Sequence, residues 1–278
     1  MAVEAPALTV RPGELHLWAL HRPWTGEEPP PMATGELDAN ERERAASFVR
    51  PRDRALYVSA HLALRRVLAL YLATDPARVA FGRAPCPCCD GPHGRPVLLG
   101  APVPLHFSLS HSQGLALIGV AGVPVGVDVQ RLPSLDSTDL CLSDMHLWEQ
   151  KEIAALPLAE RPRGFAELWT RKEAYLKGLG SGLGRELTAD YLGGDLDARP
   201  AGWAVANVPG GPAHVAAAAL LTGIGHTATT RTLPVRCLYA DDATALITGA
   251  GPARHTDLPA PAAAEYAPEY ATDTQRNG

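Results

Sequence analysis

The sequence is poor in lysine. Its 278 residues include only three, Lys151, Lys172 and Lys177, while the other 22 basic residues are arginine. Two of the three lie in one short stretch, which begins at Trp169 and ends at Lys177. Lysine carries a compact ammonium with a tunable pKa, whereas arginine carries a planar guanidinium. The two lysines retained in this stretch therefore indicate specific chemistry around Glu173.

Long apolar runs and an excess of positive charge are also absent. No run reaches the roughly 18 residues of a membrane span, and the N-terminus lacks the basic-then-apolar pattern of a secretory signal. We therefore expect a cytoplasmic protein without a membrane partner. The formal net charge of −5 does not provide the basic surface that nucleic acids require, so no nucleic-acid partner is expected.

Cysteine is scarce, and the five cysteines form an odd number that does not suggest a disulfide framework. Cys86 and Cys89 have the spacing of half a zinc site, and His93 could add a ligand. A closed structural site needs four ligands, and no second cysteine pair follows. The favoured interpretation is therefore a Pro/Gly-rich surface loop without zinc.

The apolar pattern predicts two long amphipathic helices, from about Asp53 to Leu72 and from about Phe165 to Leu179. A further helical region is predicted to begin with Ser143 as its N-cap. Short extended runs with turn residues between them predict strands at 15–20, 105–109, 115–120, 125–129, 203–208, 214–221 and 237–247.

These elements predict an α/β protein of the α+β type with two pseudo-symmetric subdomains. Each would be a small, mostly antiparallel sheet packed with one long helix. Residues 1–122 form the first predicted subdomain and 123–248 the second. Residues 249–278 lack periodicity and are rich in Pro, Ala, Asp, Thr and Glu, so they predict a disordered tail.

Three segments carry candidate functional residues. In the strand from Val125 to Gln130, alternation points the valines to one face and Gly126, Asp128 and Gln130 to the other. Taken alone, this pattern also fits an ordinary half-buried strand.

In the second long helix, Glu173 and Lys177 share a face, which fits either a site or an exposed ion pair. Lys172 falls within the apolar stripe, so its ammonium must either reach solvent or meet an anion.

In the third segment, Ser110 and His111 lie at a strand end, where hydroxyl and imidazole donors suit phosphate oxygens. A Ser-His hydrolase is the rival interpretation, but no nucleophile elbow supports it.

In this order, the three segments resemble the Sfp-type enzymes of the 4'-phosphopantetheinyl transferase superfamily. Asp128 ends a Gly-x-Asp motif, and the stretch from Trp169 to Lys177 is similar to the family's Trp-x-x-Lys-Glu-x-x-x-Lys motif. Upstream, 94–96 and 107–112 are similar to the family's Gly-Lys-Pro and Phe-Asn-x-Ser-His-Ser elements.

The resemblance implies transfer of the phosphopantetheine arm of coenzyme A to a serine of an apo acyl or peptidyl carrier protein. Adenosine 3',5'-bisphosphate would be released, and the carriers would belong to polyketide, peptide or fatty acid synthases. The enzyme would be a monomer, with coenzyme A in the cleft between the subdomains. The runner-up is a non-catalytic module that binds coenzyme A or carrier proteins.

The resemblance also implies roles for individual residues. Mg²⁺ would be bound by Asp128, Glu173 and Gln130, where Gln130 stands in place of an acid that many relatives have. Glu173 and Lys177 would be catalytic, as general base and as counter-charge to the departing phosphate. The residues expected to bind coenzyme A are Arg54, Arg95, Ser110, His111, Asp128, Lys172 and Lys177.

Overall fold

The described residues form two larger sheets, a separate two-stranded sheet and five α-helices, which confirms the predicted α/β class. The computed structural model describes residues 8–21, 31–101, 104–211, 213–223, 235–240 and 255–258. The helices are α1 Ala39–Ala46, α2 Pro51–Leu72, α3 Leu135–Leu142, α4 Leu147–Ala155 and α5 Arg161–Leu179. The strands are β1 Leu15–His21, β2 Phe81–Arg83, β3 Pro96–Leu98, β4 His106–Ser112, β5 Leu115–Ala121, β6 Val125–Arg131, β7 Trp203–Val208, β8 His214–Leu221, β9 Val235–Ala240 and β10 His255–Leu258.

The first sheet has the strand order β10-β9-β1-β5-β4, and α2 packs against it. Pro51 begins α2 at a position where the missing N–H costs nothing, and Ala73 ends the helix in the left-handed conformation. Trp18 and Leu20 of β1 face this helix, as the alternation of a strand requires. In length and composition α2 could cross a membrane, but 72% of its most apolar window is buried inside the fold, as in a core helix.

The second sheet has the order β6-β8-β7, with antiparallel neighbours, and α5 packs on it. Gly180 ends α5 in the left-handed conformation that glycine adopts without strain. Val125, Val127 and Val129 lie in the core between the two sheets, so the predicted facing of this strand is confirmed. The opposite face of β6, which carries Asp128, is therefore turned toward α5.

The end of the chain departs from the predicted organisation. β9 falls within the segment predicted to belong to the second subdomain, yet it pairs in parallel with β1 of the first sheet. β10 falls within the predicted disordered tail, and it pairs with β9. Strand pairing over more than 200 residues leaves no local signal, which is why the pattern missed it. The remaining residues of the tail lie outside the described residues.

One predicted helix start is also wrong. Ser143 follows the last residue of α3 and caps its C-terminus, while His146 is the N-cap residue of α4. The side chain of His146 accepts a hydrogen bond from the amide of Trp148. The carboxylate of Glu149 accepts a hydrogen bond from the amide of His146 at 2.9 Å. This reciprocal capping outcompetes the serine, although histidine is an uncommon N-cap residue.

Candidate active site

The two sheets meet where β4 runs beside β6, and serine side chains join them. From Ser108 onward, every second residue of β4 is a serine whose hydroxyl accepts a hydrogen bond from an amide of β6. The three contacts are Val127 to Ser108 at 3.0 Å, Val129 to Ser110 at 3.3 Å and Arg131 to Ser112 at 3.2 Å. These bonds satisfy amides of an edge strand and fix the register between the two halves.

Gly126 lets α5 approach β6 at backbone distance. A Cβ atom at this position would lie 2.5 Å from the amide nitrogen of Gly178 and closer still to the carbonyl oxygen of Ala174. No other residue leaves room for this contact. Because Glu173 and Lys177 flank it on the helix, the contact brings both side chains to the face of β6 that carries the candidate aspartate.

Asp128 is the centre of a buried polar cluster, and its side chain is only 1% exposed. Its Oδ1 accepts hydrogen bonds from Ser110 Oγ at 2.8 Å and from Lys177 Nζ at 2.6 Å. Lys177 Nζ also lies 3.1 Å from Ser110 Oγ. Gln130 donates to Asp128 Oδ2 at 3.2 Å. One carboxylate thus ties together β4, β6 and α5.

Glu173 lies beside this cluster without being tied into it. Burial raises the pKa of Glu173, the charge of Lys177 opposes that rise, and the charge of Asp128 adds to it. Within the described residues no hydrogen bond holds its carboxylate. A partly buried carboxylate with a raised pKa and free oxygens can accept a proton or bind a cation.

The donor set here suits a hard cation. The Asp128 and Glu173 carboxylates are close enough for the first to raise the pKa of the second, and the amide oxygen of Gln130 remains available beside them. Mg²⁺ prefers such oxygen ligands. The Lys177 ammonium already contacts one of these carboxylates, which indicates that this position attracts positive charge.

Arg95 lies near the C-terminal end of α5. Its backbone nitrogen and Cβ would be 3.0 and 3.2 Å from a Cβ at Gly180. The Nε atom of Arg95 and the Oγ atom of Ser181 are buried, and neither has a hydrogen-bond partner within the described residues. Burial lowers the pKa of Arg95, and burial together with the charge of Arg95 lowers that of His106. A half-buried guanidinium with an unsatisfied buried N–H fits an anionic ligand.

His111 extends this basic region at the end of β4. Desolvation by the surrounding protein lowers the pKa of His111, and the positive charges of His61 and Lys177 lower it further. His61 itself accepts or donates a 2.9 Å hydrogen bond with Glu41 and stacks on Tyr57 with 4.1 Å between ring centroids. The imidazole of His111 is therefore held near other cations, where a phosphate would be favourable.

Arg54 and Lys172 do not join the cluster. Arg54 is exposed in the first turn of α2, and in the described part of the chain no hydrogen bond connects it to Asp128. Lys172 is 97% buried and pairs with Glu149 Oε2 at 2.8 Å, while it also donates to the carbonyl oxygens of Leu187 and Asp190.

The predicted contact of Lys172 with coenzyme A is therefore wrong, because all three ammonium protons are already used. Burial lowers the pKa of Lys172, and the charge of Glu149 partly restores it. Of the two alternatives open from the sequence, Lys172 meets an anion, and that anion is Glu149 of α4. The lysine thus anchors α5 to α4 and to the segment after α5.

One contributor to the site, Ser108, was not singled out from the sequence. It joins the sheets together with Ser110 and Ser112, and the spacing of two residues between these serines was the available signal. The burial of Arg95 Nε gave no such signal, since it depends on the tertiary fold.

Comparison with known proteins agrees with this geometry. The model of the 4'-phosphopantetheinyl transferase superfamily matches residues 124–203. The 4'-phosphopantetheinyl transferase HetI of Nostoc sp. is 32% identical over 184 residues, which cover 65% of this chain and 74% of HetI. A 4'-phosphopantetheinyl transferase of Bacillus subtilis is 26% identical over 55% of this chain and 67% of its own length. The transferase Sfp of Bacillus subtilis strain 168 is 22% identical over 53% of this chain and 62% of its own length.

The family model spans β6, α5 and the start of β7, and therefore contains Asp128, Glu173 and Lys177. HetI is similar over most of its length, which extends the relationship beyond that segment. The chain therefore belongs to the 4'-phosphopantetheinyl transferase superfamily and is an enzyme that transfers the phosphopantetheine arm of coenzyme A to carrier proteins.

Proposed function

We propose that this transferase works with Mg²⁺ held by Asp128, Glu173 and Gln130. The convergence of Asp128 with Ser110, Glu173 and Lys177 at the junction of the two sheets is the observation that carries the proposal. Oxygen donors and a net negative charge favour a hard cation at this position. Bound Mg²⁺ would neutralise the pyrophosphate of coenzyme A.

Coenzyme A lies, in this proposal, along the basic side of the same cleft. Ser110, His111 and Lys177 face its phosphates, and Arg95 receives the 3'-phosphate. The unpartnered buried Nε of Arg95 supports this assignment, because an anion would satisfy it. Arg54 stays a weaker candidate for the nucleotide side, since its side chain is exposed.

Glu173 acts as the general base. It takes the proton of the carrier serine, whose oxygen bonds to the phosphorus that bears the pantetheine arm. The bond from that phosphorus to the bridging oxygen breaks, and adenosine 3',5'-bisphosphate leaves. Lys177 balances the charge on the departing phosphate. A carboxylate whose pKa is raised by burial is a better base near neutral pH than an exposed one.

The two sides of the cleft come from one chain, with Ser110 on β4 and Asp128 on β6. This supports a monomer as the functional unit. The carriers would be acyl or peptidyl carrier domains of polyketide, peptide or fatty acid synthases, and the location would be cytoplasmic. Size-exclusion chromatography with light scattering tests the first point, since a stable dimer would contradict it.

The alternative of a non-catalytic binding module is not favoured. Such a module has no need for a general base or for a carboxylate pair, yet Glu173 and Asp128 lie close enough to interact. The lysine that would serve the leaving group contacts the same cluster. The complete set of acid, base and cation supports chemistry at this site.

Metal binding tests the proposal apart from turnover. Mn²⁺ bound in place of Mg²⁺ can be counted by electron paramagnetic resonance in the presence of coenzyme A. We expect one tight site in the native protein and in Asp139→Asn, which changes an exposed aspartate of α3. Asp128→Asn should weaken that site at least about 10-fold. Equal Mn²⁺ affinity in the native protein and Asp128→Asn would contradict the assignment.

A further inference from the structure

The segment between β2 and β3 forms a closed loop at the tip of a hairpin. Its base is held by two 3.0 Å backbone hydrogen bonds, from Ala84 to the carbonyl of Arg95 and from Gly94 to the carbonyl of Ala84. A Cβ at Gly94 would lie 2.6 Å from the carbonyl oxygen of Pro85. Only glycine therefore lets the returning chain lie this close, and the loop has one fixed path.

Inside the loop, backbone hydrogen bonds curl the chain around Cys86. Its carbonyl accepts from the amides of Cys89 at 3.4 Å and Asp90 at 2.8 Å, and its amide donates to the carbonyl of Gly91 at 2.8 Å. Asp90 adopts a positive φ of 56°, which turns the chain back. The amide of His93 donates to Gly91 at 2.9 Å, so the histidine follows the turn directly.

This path brings three metal-binding atoms together. The ligand atoms of Cys86, Cys89 and His93 all lie within 4.8 Å of one another, and Cys89 Sγ is 3.0 Å from His93 Nε2. A tetrahedral zinc ion with its usual bond lengths separates such atoms by about 3.6 to 3.8 Å. The ion therefore needs only small side-chain adjustments and no change of the backbone.

We propose that Cys86, Cys89 and His93 bind a Zn²⁺ ion, with a water molecule as the fourth ligand. Two thiolates and one imidazole form a soft donor set that selects zinc over Mg²⁺. Cys86 is buried, whereas Cys89 and His93 are exposed, which gives the ion a route to the site. The sequence lacks a second cysteine pair, but a site with three protein ligands does not need one.

Cys88 provides a matched control within the same turn. It is an exposed free cysteine adjacent to Cys89, but it is not part of the three-residue cluster. Replacing it changes one thiol and leaves the proposed ligands in place. The comparison of Cys88→Ser with Cys89→Ser therefore separates metal binding at a defined site from adventitious capture by thiols.

The zinc site also bears on coenzyme A, and this step depends on the function proposed above. Arg95 comes two residues after His93, and it packs against Gly180 at the end of α5. A metal at His93 would hold the strand that carries Arg95 and so position its guanidinium for the 3'-phosphate. Arg95 contacts the substrate, while the zinc ligands act as positioning residues.

The test uses untagged full-length protein, purified with a phosphine reductant and equilibrated with a slight excess of ZnCl₂. Native mass spectrometry gives the zinc content, and competition with a chromogenic chelator gives the affinity. We expect one zinc per chain in the native protein and in Cys88→Ser. Since loss of an outer-shell partner alone costs about 10–100-fold in affinity, Cys89→Ser and His93→Gln should bind zinc at least about 100-fold more weakly.

Absence of zinc from the native protein would overturn the proposal, and so would equal loss in Cys88→Ser and Cys89→Ser. An intramolecular disulfide in the native protein after reductant removal, with no zinc uptake, would overturn it in the same way. Both tested ligands are exposed, so their replacement removes little core packing. Co²⁺ substitution provides a second readout. Thiolate-to-cobalt absorption should appear in the native protein and decrease in Cys89→Ser.

Coupling to Arg95 has its own readout. His93→Gln should raise KM for coenzyme A several-fold and leave kcat nearly unchanged, as a positioning effect on one phosphate contact requires. If zinc binds but this KM does not change, the metal site stands and its link to Arg95 fails. If the native protein transfers nothing, zinc stoichiometry still tests the site independently of the proposed function.

Discussion

Gly126→Ala is the substitution for which the structure gives the most definite consequence. The added methyl group would lie 2.5 Å from the amide nitrogen of Gly178, whereas ordinary contact begins at 3.4 Å. The opposing atoms belong to helix backbone, so no side chain can rotate away. Helix α5 would have to retreat from β6 by at least about 1 Å.

The retreat should affect stability and activity differently. Overpacking of a tight core contact costs typically about 1–3 kcal/mol of unfolding free energy. Glu173 and Lys177 move with the helix, and a displacement of about 1 Å in a catalytic group can cost roughly 100-fold in rate. We therefore expect a folded protein whose kcat/KM for the carrier is lower by about two orders of magnitude.

The assay pairs urea unfolding with the rate of carrier modification. Gly122→Ala is the matched control, because a Cβ there meets no atom within 4 Å, although Gly122 lies only four residues away. The control should retain native stability and rate. Native activity and stability in Gly126→Ala would refute the inference that this glycine sets the approach of α5.

Three further outcomes follow from the described contacts. Lys172→Met should cost about 3–5 kcal/mol in urea unfolding because it leaves Glu149 buried and unpaired; adding Glu149→Gln should recover part of that loss, and a large effect on KM for coenzyme A alone would instead favour a substrate contact. Glu173→Gln should lower turnover about 100-fold or more. Because burial raises the pKa of Glu173 above 4.5, ionising it costs stability as pH rises through that raised pKa. In the absence of metal, Glu173→Gln should therefore melt at a higher temperature than the native protein near neutral pH. A lower melting temperature would count against the raised pKa of Glu173. Lys177→Ala should slow transfer strongly while Lys151→Ala, at an exposed position, should not; Lys177→Arg separates charge from proton donation by how much activity it restores.

The elements that form the site were predictable because their signals are local. The period of apolar residues gave α5 within a few residues of its observed start at Arg161 and its end at Leu179. Strand alternation gave the facing of Asp128, and helical spacing placed Glu173 and Lys177 on one face. Periodicity reports which residues share a face of an element, and it therefore placed these side chains correctly relative to the apolar ones.

What could not be predicted depends on contacts between distant segments. Lys172 was expected either to reach solvent or to meet an anion, and the anion is Glu149, which lies on another helix that no spacing rule joins to it. The pairing of β9 with β1 likewise leaves no trace in either segment. The geometry of the cysteine loop could not be predicted for a different reason. The approach of His93 to Cys89 follows from the left-handed turn at Asp90, which the residue pattern alone does not specify.

The central claim is that the cleft around Asp128 transfers phosphopantetheine. The most direct measurement is the intact mass of an apo-carrier domain after incubation with the native protein, coenzyme A and Mg²⁺, with Asp128→Ala and Asp139→Asn run in parallel. We expect the native protein and Asp139→Asn to add one phosphopantetheine to the carrier serine and to release an equal amount of adenosine 3',5'-bisphosphate. Asp128→Ala should fold and leave the carrier unmodified. An unmodified carrier with folded native protein, or full modification by Asp128→Ala, would contradict the account.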